Sequence, residues 1–215
     1  MSTLALIGCG QLFESIAAEW PVLAQGQRQL LLLRLDSTDT LAEDTTAALS
    51  KLDPKDVRIF AAIDQQALNH ARLDVYGRAR LLGFRSETLI HPKAMVAANI
   101  KLGENCWVGP GVIIGAEVQI SNNTVISAGA RIDFGAKIGA NVWIGSGAAV
   151  GAEANIGAHC VIGEDVKLAT GIKLGRHCSI NVPGRYAESL LQGTFIDMLF
   201  SKSVHIYGLE SGAKA

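Results

Sequence analysis

Between Ile90 and Ile180 an aliphatic residue returns at every sixth position: Ile90, Val96, Leu102, Val108, Ile114, Ile120, Ile126, Ile132, Ile138, Ile144, Val150, Ile156, Ile162, Leu168, Leu174 and Ile180. The series has no slip and no insertion, which makes chance repetition in an Ala/Gly-rich chain negligible. The residue that follows is small or polar almost throughout, as at Gly103, Ser121, Gly139, Gly157 and Asn181. A corner with little room for a side chain requires this. Two positions before each aliphatic stands a second, mostly compact residue, such as Cys106, Val112, Val118 and Ala130. Side chains alternate along a strand, so both point inward. A period of six cannot be helical, because 3.6 residues per turn would carry the apolar position around the whole cylinder. It suits short strands joined by tight corners, wound into a solenoid whose coils hydrogen-bond to one another.

The residues before the solenoid follow another rhythm. Residues 3 to 8 read as a buried strand that ends in Gly8-Cys9-Gly10, a helical pattern runs through Trp20, and a second apolar run, Leu30 to Leu35, closes at Asp36. In this βαβ order the first turn could hold a phosphate at a helix N-terminus, with Asp36 on a ribose. The dinucleotide fingerprint Gly-x-Gly-x-x-Gly has Phe13 at its third glycine, so an ordinary strand-to-helix turn is the alternative. A helix over 39–52, a strand over Val57–Ile63 and a helix over 65–82 stopped by Gly83 complete an α/β unit. It leads through Ser86 to Pro92 into the solenoid with no flexible linker. After Ile180 the rhythm breaks at Asn181-Val182-Pro183-Gly184. Residues 185–199 read as a partly amphipathic helix interrupted at Gly193, and Ser203 to Tyr207 as a short strand. Together they would cap the open end of the solenoid, with the final residues poorly ordered. The expected division is an α/β domain over 1–86, an all-β solenoid over 87–184 and a capping segment over 185–215.

Three columns of the solenoid, one outward, one at a corner and one interior, bear on function. Leu89, Trp107, Val125, Trp143 and Val161 make an apolar stripe that predicts burial, either against other copies of the chain or under its own 185–207 segment. At one corner Asn105, Asn123, Asn141, His159 and His177 stack. This is either a structural column of left-handed corner residues or, in His159 and His177, a metal or acid/base pair. No carboxylate or third ligand of suitable spacing is evident, and no metal is expected. Of the four cysteines, Cys106, Cys160 and Cys178 share an interior column and read as small core residues; no zinc-type spacing occurs.

Composition changes the picture only by exclusion. Nineteen basic and twenty acidic residues give no electrostatic case for nucleic acid or an anionic membrane. No apolar run approaches the ~18 residues of a membrane span, and the first residues lack the basic region of a secretory signal. A cytoplasmic protein without membrane insertion is expected. Fifteen of the 23 glycines lie between residues 91 and 184, so the glycine excess belongs to the solenoid.

An α/β unit, then Gly83-Phe84, then Leu89-Ile90-His91-Pro92, then hexapeptide coils: this order resembles the sialic-acid O-acetyltransferase and bacillosamine N-acetyltransferase family of sugar acyltransferases. The resemblance implies a left-handed parallel β-helix with three hexads per coil and a homotrimer. It also implies an acyl-CoA donor, such as acetyl-CoA, in the cleft between subunits, and a sugar or nucleotide sugar on the N-terminal domain at Gly8, Gly10 and Asp36. The family's phosphate turn, Gly-x-Gly-Gly-His-Gly, has Gln11, Leu12 and Phe13 in its second half here. Its His-carboxylate motif, two positions beyond a core aliphatic, matches Phe134 and Gly135, and a second His at the donor cleft matches Trp143. Neither aromatic ring can accept a proton from a sugar amine or hydroxyl. Asp133, His159 and His177 are the residues left as candidate catalysts, with Phe134 and Trp143 in the donor cleft. The function expected by resemblance is N- or O-acylation of a sugar without the family's general base. The alternative is a non-catalytic β-helix protein that binds a sugar nucleotide or a partner enzyme.

Overall fold

The computed structural model describes residues 3–24, 26, 28–36, 41–200 and 202–205; the C-terminal residues 206–215, and with them the expectation of a poorly ordered tail, lie outside that range. Four parallel strands, β1 (Thr3–Cys9), β2 (Gln29–Arg34), β3 (Val57–Ile63) and β4 (Arg85–Ser86), lie in the order β2-β1-β3-β4. Leu4, Leu6, Phe60 and Ala62 face one side of this sheet, and Ala5, Ile7, Ile59, Ala61 and Ile63 face the other. Burial on both faces is why the first and third strands read as unbroken apolar runs. Helix α1 (Gln11–Ala24) packs on the first side, and α2 (Leu41–Leu49) and α3 (His70–Leu81) on the second. The helix expected over 65–82 starts later, because a short turn at Ala67–Asn69 holds Leu68 and Asn69 at positive φ (55° and 63°).

Beyond β4 the chain winds into a parallel β-helix of three sheets. Trp107 pairs with Leu89, Val125 with Trp107, and Trp143 with Val125, so eighteen residues close one coil. The six-residue aliphatics from Val108 to Ile180 are buried, whereas Ile90, at the open first coil, is 44% exposed. The small residue after each aliphatic answers to close approach between coils: a β-carbon at Gly139 would lie 2.6 Å from the Ala158 nitrogen, inside any van der Waals contact. The interior cysteines are free thiols. Each donates to a backbone carbonyl of the next coil, Cys106 to Ser121 (3.2 Å), Cys160 to Gly175 (3.1 Å) and Cys178 to Leu191 (3.0 Å). Thr88 and Thr124 do the same in the same column.

Two expectations need correction. The 185–199 segment is not helical: Gly184–Tyr186 and Thr194–Ile196 are strands, and Leu190 bridges Leu174. The solenoid therefore continues past the hexapeptide rhythm. Arg185 still pairs eighteen residues back with Lys167, but Leu190 and Phe195 pair with Leu174 and Ser179, sixteen residues back. The last coil is shorter by two residues, which is what broke the six-residue pattern. A strand at Val204–His205 then turns antiparallel along Thr194–Ile196 and ends the sheet.

The apolar stripe is the second correction. Neither other copies nor the C-terminal segment covers Leu89, Trp107 and Val125. They form one core with Leu4, Leu6, Phe13, Ile16, Trp20 and Phe60 of the N-terminal domain, and Trp143 packs against its edge. The domain is thus seated on one face of its own solenoid. Two buried or half-buried tryptophans, each capable of covering ~150–250 Å² of apolar surface, give that seat a driving force of several kcal/mol at ~25 cal/mol per Å².

A polar seam fixes the seat beside this apolar contact. Asn105, Asn123 and Asn141 are buried at positive φ, and their amides form a ladder. The Asn105 Nδ2 donates to Asn123 Oδ1 (2.7 Å) and the Asn123 Nδ2 to Asn141 Oδ1 (2.6 Å). The N-terminal domain locks into it: Ala61 N–H donates to Asn105 Oδ1 (2.9 Å), and Asn69 Nδ2 donates to the Asn141 carbonyl (3.1 Å). Arg72, 1% exposed, donates to the carbonyls of Ala61 (2.9 Å), Asn123 (2.7 Å) and Asn105 (2.6 Å). Burial pulls its guanidinium down to about 10, so it stays charged at neutral pH. Arg72→Ala leaves three buried carbonyls without a donor and should cost roughly 3 kcal/mol or more in urea denaturation. Amide exchange should rise across β1 and β3 while the solenoid strands beyond Val150 keep their protection; uniform loss along the chain would count against a seam-specific role.

Candidate active site

The turn after β1 is shaped by what lies against it. Gly8 (φ 145°) has no room for a side chain, since a β-carbon would sit 1.8 Å from the Ala62 carbonyl oxygen. Gly10 (φ 90°) faces the Asp64 carboxylate, 2.3 Å from where a β-carbon would be. That carboxylate accepts from Gln11 N–H (Oδ2, 2.7 Å) and Leu12 N–H (Oδ1, 2.8 Å). The positive end of α1 is therefore capped by an acid from the loop after β3. Asp36 is exposed just past β2. Phe13 is fully buried in the apolar core. The sequence reading missed Asp64; the available signal was an acidic residue one position past the third strand of a parallel sheet, beside the first turn.

Between α1 and the solenoid lies a cleft of about 430 Å³. Gln11, Ser15, Glu19 and Asp64 line its N-terminal wall; Trp107, Trp143 and the corner residues Ser127, Ser146 and Glu164 line the other. Glu19 Oε2 is buried with no hydrogen-bond partner, 3.5 Å from Nε2 of the buried His91.

The remaining candidates sit on other corners. Phe134 is 48% exposed, in an open groove with Glu117, Gln119, Lys137 and Glu153. Asp133 beside it is ion-paired to Arg131 (3.2 Å). Phe134 lines that groove, whereas Trp143 lines the cleft under α1.

His159 and His177 continue the asparagine column at positive φ (61° and 57°), and the first residue of α3 brings a third ring, His70. The rings stack face to face: His159 and His177 have centroids 4.7 Å apart and planes 4° apart, and His70 lies 5.6 Å from His159 at 13°. One nitrogen of each lies within 4.8 Å of the others. As arranged, these residues do not fit a shared metal, because in-plane lone pairs of parallel rings run side by side and do not converge. The ladder adds a second obstacle. Ala61 N–H can only donate, which orients every amide in turn, so Asn141 Nδ2 must donate to His159 Nδ1 (3.0 Å) and the His159 proton sits on Nε2. Burial, reinforced by His177, His70 and Arg176, pulls His159 down to about 4, and burial also lowers His177. Burial thus holds His159 and His177 below the ordinary imidazole range at the domain seam, and none of the three rings lines the cleft under α1.

Comparison with known proteins agrees with this architecture. Residues 84–180 match the family profile described as the GMPPB C-terminal domain. No curated protein sequence matches the chain significantly. The acetyltransferase domain of PglB from Neisseria gonorrhoeae superposes with a TM-score of 0.79 at 20% identity, covering 91% of this chain and 96% of that one. Its complex with acetyl coenzyme A gives 0.75 at 20% identity, covering 90% and 94%. PerB from Caulobacter crescentus, in complex with CoA and GDP-perosamine, gives 0.74 at 21% identity, covering 91% and 93%. At these identities the likeness establishes the fold, an α/β domain on a left-handed parallel β-helix.

The histidine stack makes stability depend on pH. The folded chain binds protons at His159 and His177 less readily than the unfolded chain does. The unfolded state therefore gains protons as pH falls from about 6.5 towards about 4, and stability is lost over that window; above it the contribution is fully present. His159→Asn extends the ladder and removes one such group. Calorimetry should show a smaller drop in Tm between pH 8 and pH 5 for the variant than for the wild type, and equal drops would detach the column from the acid sensitivity.

Proposed function

We propose that this chain is an acyl-CoA-dependent sugar acyltransferase in architecture, with its acceptor in the cleft under α1 and with acyl transfer slowed by the absence of a positioned general base. The supporting observation is a walled cleft in a chain that follows, over nine-tenths of its length, the fold of proteins solved with acetyl coenzyme A and with CoA plus GDP-perosamine. The chemistry is direct transfer: the acceptor nitrogen or oxygen attacks the thioester carbonyl, the C–S bond breaks, CoA leaves as the thiol, and the acceptor proton goes to a base or to water. At the position that the resemblance assigns to the base, Phe134 offers no proton acceptor, Gly135 offers no carboxylate, and Asp133 is held by Arg131. Loss of a positioned base costs ~10²–10⁴-fold, which an amine tolerates better than a hydroxyl because part of it is already neutral. The second reading, a non-catalytic binding module, draws on the same Phe134.

Release of CoA thiol from acetyl-CoA, followed across a panel of amino sugars and neutral sugars, separates the two. Slow release with amino sugars only, unchanged in Asp133→Asn, is the expected result. Saturable acetyl-CoA binding with no release supports the binding module. Fast release that vanishes in His159→Ala or His177→Ala would move the active site to the histidine corner and overturn the proposal.

We also propose that the homotrimer implied by the resemblance forms through the solenoid face carrying Met95 and Ile113, with Phe134 at its corner. These three side chains are 60%, 40% and 48% exposed, whereas the stripe first expected to serve is occupied within the chain. Sedimentation equilibrium should give a trimer that Met95→Glu with Ile113→Glu dissociates; a monomeric wild type would remove the claim.

A further inference from the structure

We infer that the cleft under α1 selects a phosphate-free, cationic sugar, an amino sugar with its ammonium intact, and rejects nucleotide diphosphate sugars. This rests on the reading of that cleft as the acceptor site. Three features of the cavity carry it.

The first is the place where a phosphate would bind. In a βαβ turn the anion is held by the free N–H groups opening the first helix. Here both Gln11 N–H and Leu12 N–H are already given to the Asp64 carboxylate, at 2.7 and 2.8 Å. The carboxylate fills the space that Gly10 leaves open. A phosphate could reach those donors only by expelling Asp64, and it would then meet the displaced negative charge at close range.

The second is the sign of the walls. Glu19, Asp64 and Glu164 line the cavity, and among the described residues no Lys, Arg or His does, the buried His91 lying behind Glu19. A diphosphate would enter a field of its own sign, while a cation is drawn in. The third is the way the cavity would hold a sugar. Trp107 and Trp143 present aromatic surface to it, which suits the apolar face of a pyranose and attracts an ammonium through the ring quadrupole. Glu19 lines the cavity with a part-exposed side chain whose Oε2 is backed by Nε2 of the buried His91 at 3.5 Å, and its carboxylate offers a charged acceptor to a ligand ammonium. At about 430 Å³ the cavity has room for a single sugar. The same carboxylates stabilise the ammonium over the neutral amine, the only form that attacks a thioester, which agrees with slow transfer.

The test is saturable binding to the full chain, by ligand-observed NMR and calorimetry, of glucosamine, N-acetylglucosamine and UDP-N-acetylglucosamine, without acetyl-CoA present. Glucosamine should bind at least about tenfold more tightly than N-acetylglucosamine. Glu19→Gln, a change of nearly equal volume, should weaken it by about ten- to a hundredfold, as loss of a charge-assisted hydrogen bond does. Glu164→Gln, at an exposed solenoid corner, should weaken it less, and raised salt should weaken it further. UDP-N-acetylglucosamine should neither bind nor compete. Preference for the UDP sugar, equal binding of the amine and its acetamide, or no binding of glucosamine would each overturn the inference. Glucosamine binding without CoA release would sink the acyltransferase reading alone, whereas CoA release driven by a nucleotide sugar would sink only the ligand class.

Discussion

A buried guanidinium joined to a ladder of asparagines decides how the two halves of this protein sit together. Arg72 donates to a carbonyl of β3 and to two carbonyls of the solenoid corner, and Ala61 N–H starts the amide ladder from the same strand. Hydrogen bonds of this kind are directional, so they fix register and rotation where the neighbouring apolar contact of Trp107, Val125 and Phe13 supplies area without direction. Every cavity between the halves inherits its shape from that seam.

The β-helix then distributes chemistry by corner. One corner carries the asparagines and histidines and is consumed by the domain seam. The next forms the far wall of the cleft through Ser127, Ser146 and Glu164. The third carries Asp133, Phe134 and Gly135 and faces outward. Because coils stack at fixed eighteen-residue intervals, a residue cannot move from one corner to another without rewinding the solenoid. In the proposed reading the histidines serve the seam, since neither His159 nor His177 lines the cleft. The proposed slow transfer to an amine-bearing ligand draws on both the acidic cleft and the aromatic ring at the third corner.

The electrostatics of the α1 terminus show how a familiar turn can lose one ligand class without losing its shape. Gly8 and Gly10 keep the geometry of a phosphate-binding turn, yet their spare room is taken by Ala62 and by Asp64. A carboxylate in the chain reaches those two N–H groups without the association entropy that a phosphate from solution must lose, which is the physical basis of the inference drawn for this turn.

The β-helix was legible in the sequence because its physics is periodic. An aliphatic at every sixth residue calls for a short strand and a tight corner repeated as a solenoid, whose three-sided winding the family resemblance implied, and the glycines that follow many of the aliphatics answer to the approach of the next coil. The central strands of the α/β domain were legible for a similar reason, since burial on both faces leaves unbroken apolar runs. Where the period changes the local pattern misleads: the last coil is two residues shorter, and residues 185–199, helix-like in their apolar spacing, continue the sheets. The stripe from Leu89 to Val161 does need cover, but that cover comes from residues spread between Leu4 and Ala62 of the α/β domain, and no local pattern encodes a partner in another domain. Asp64 on the α1 amides is a long-range contact within the α/β domain itself; Arg72 across the seam and His70 against His159 belong with the stripe. Each joins residues that only the docking of two independently patterned halves brings into contact, so the sequence determined the halves and the tertiary structure decided the site between them.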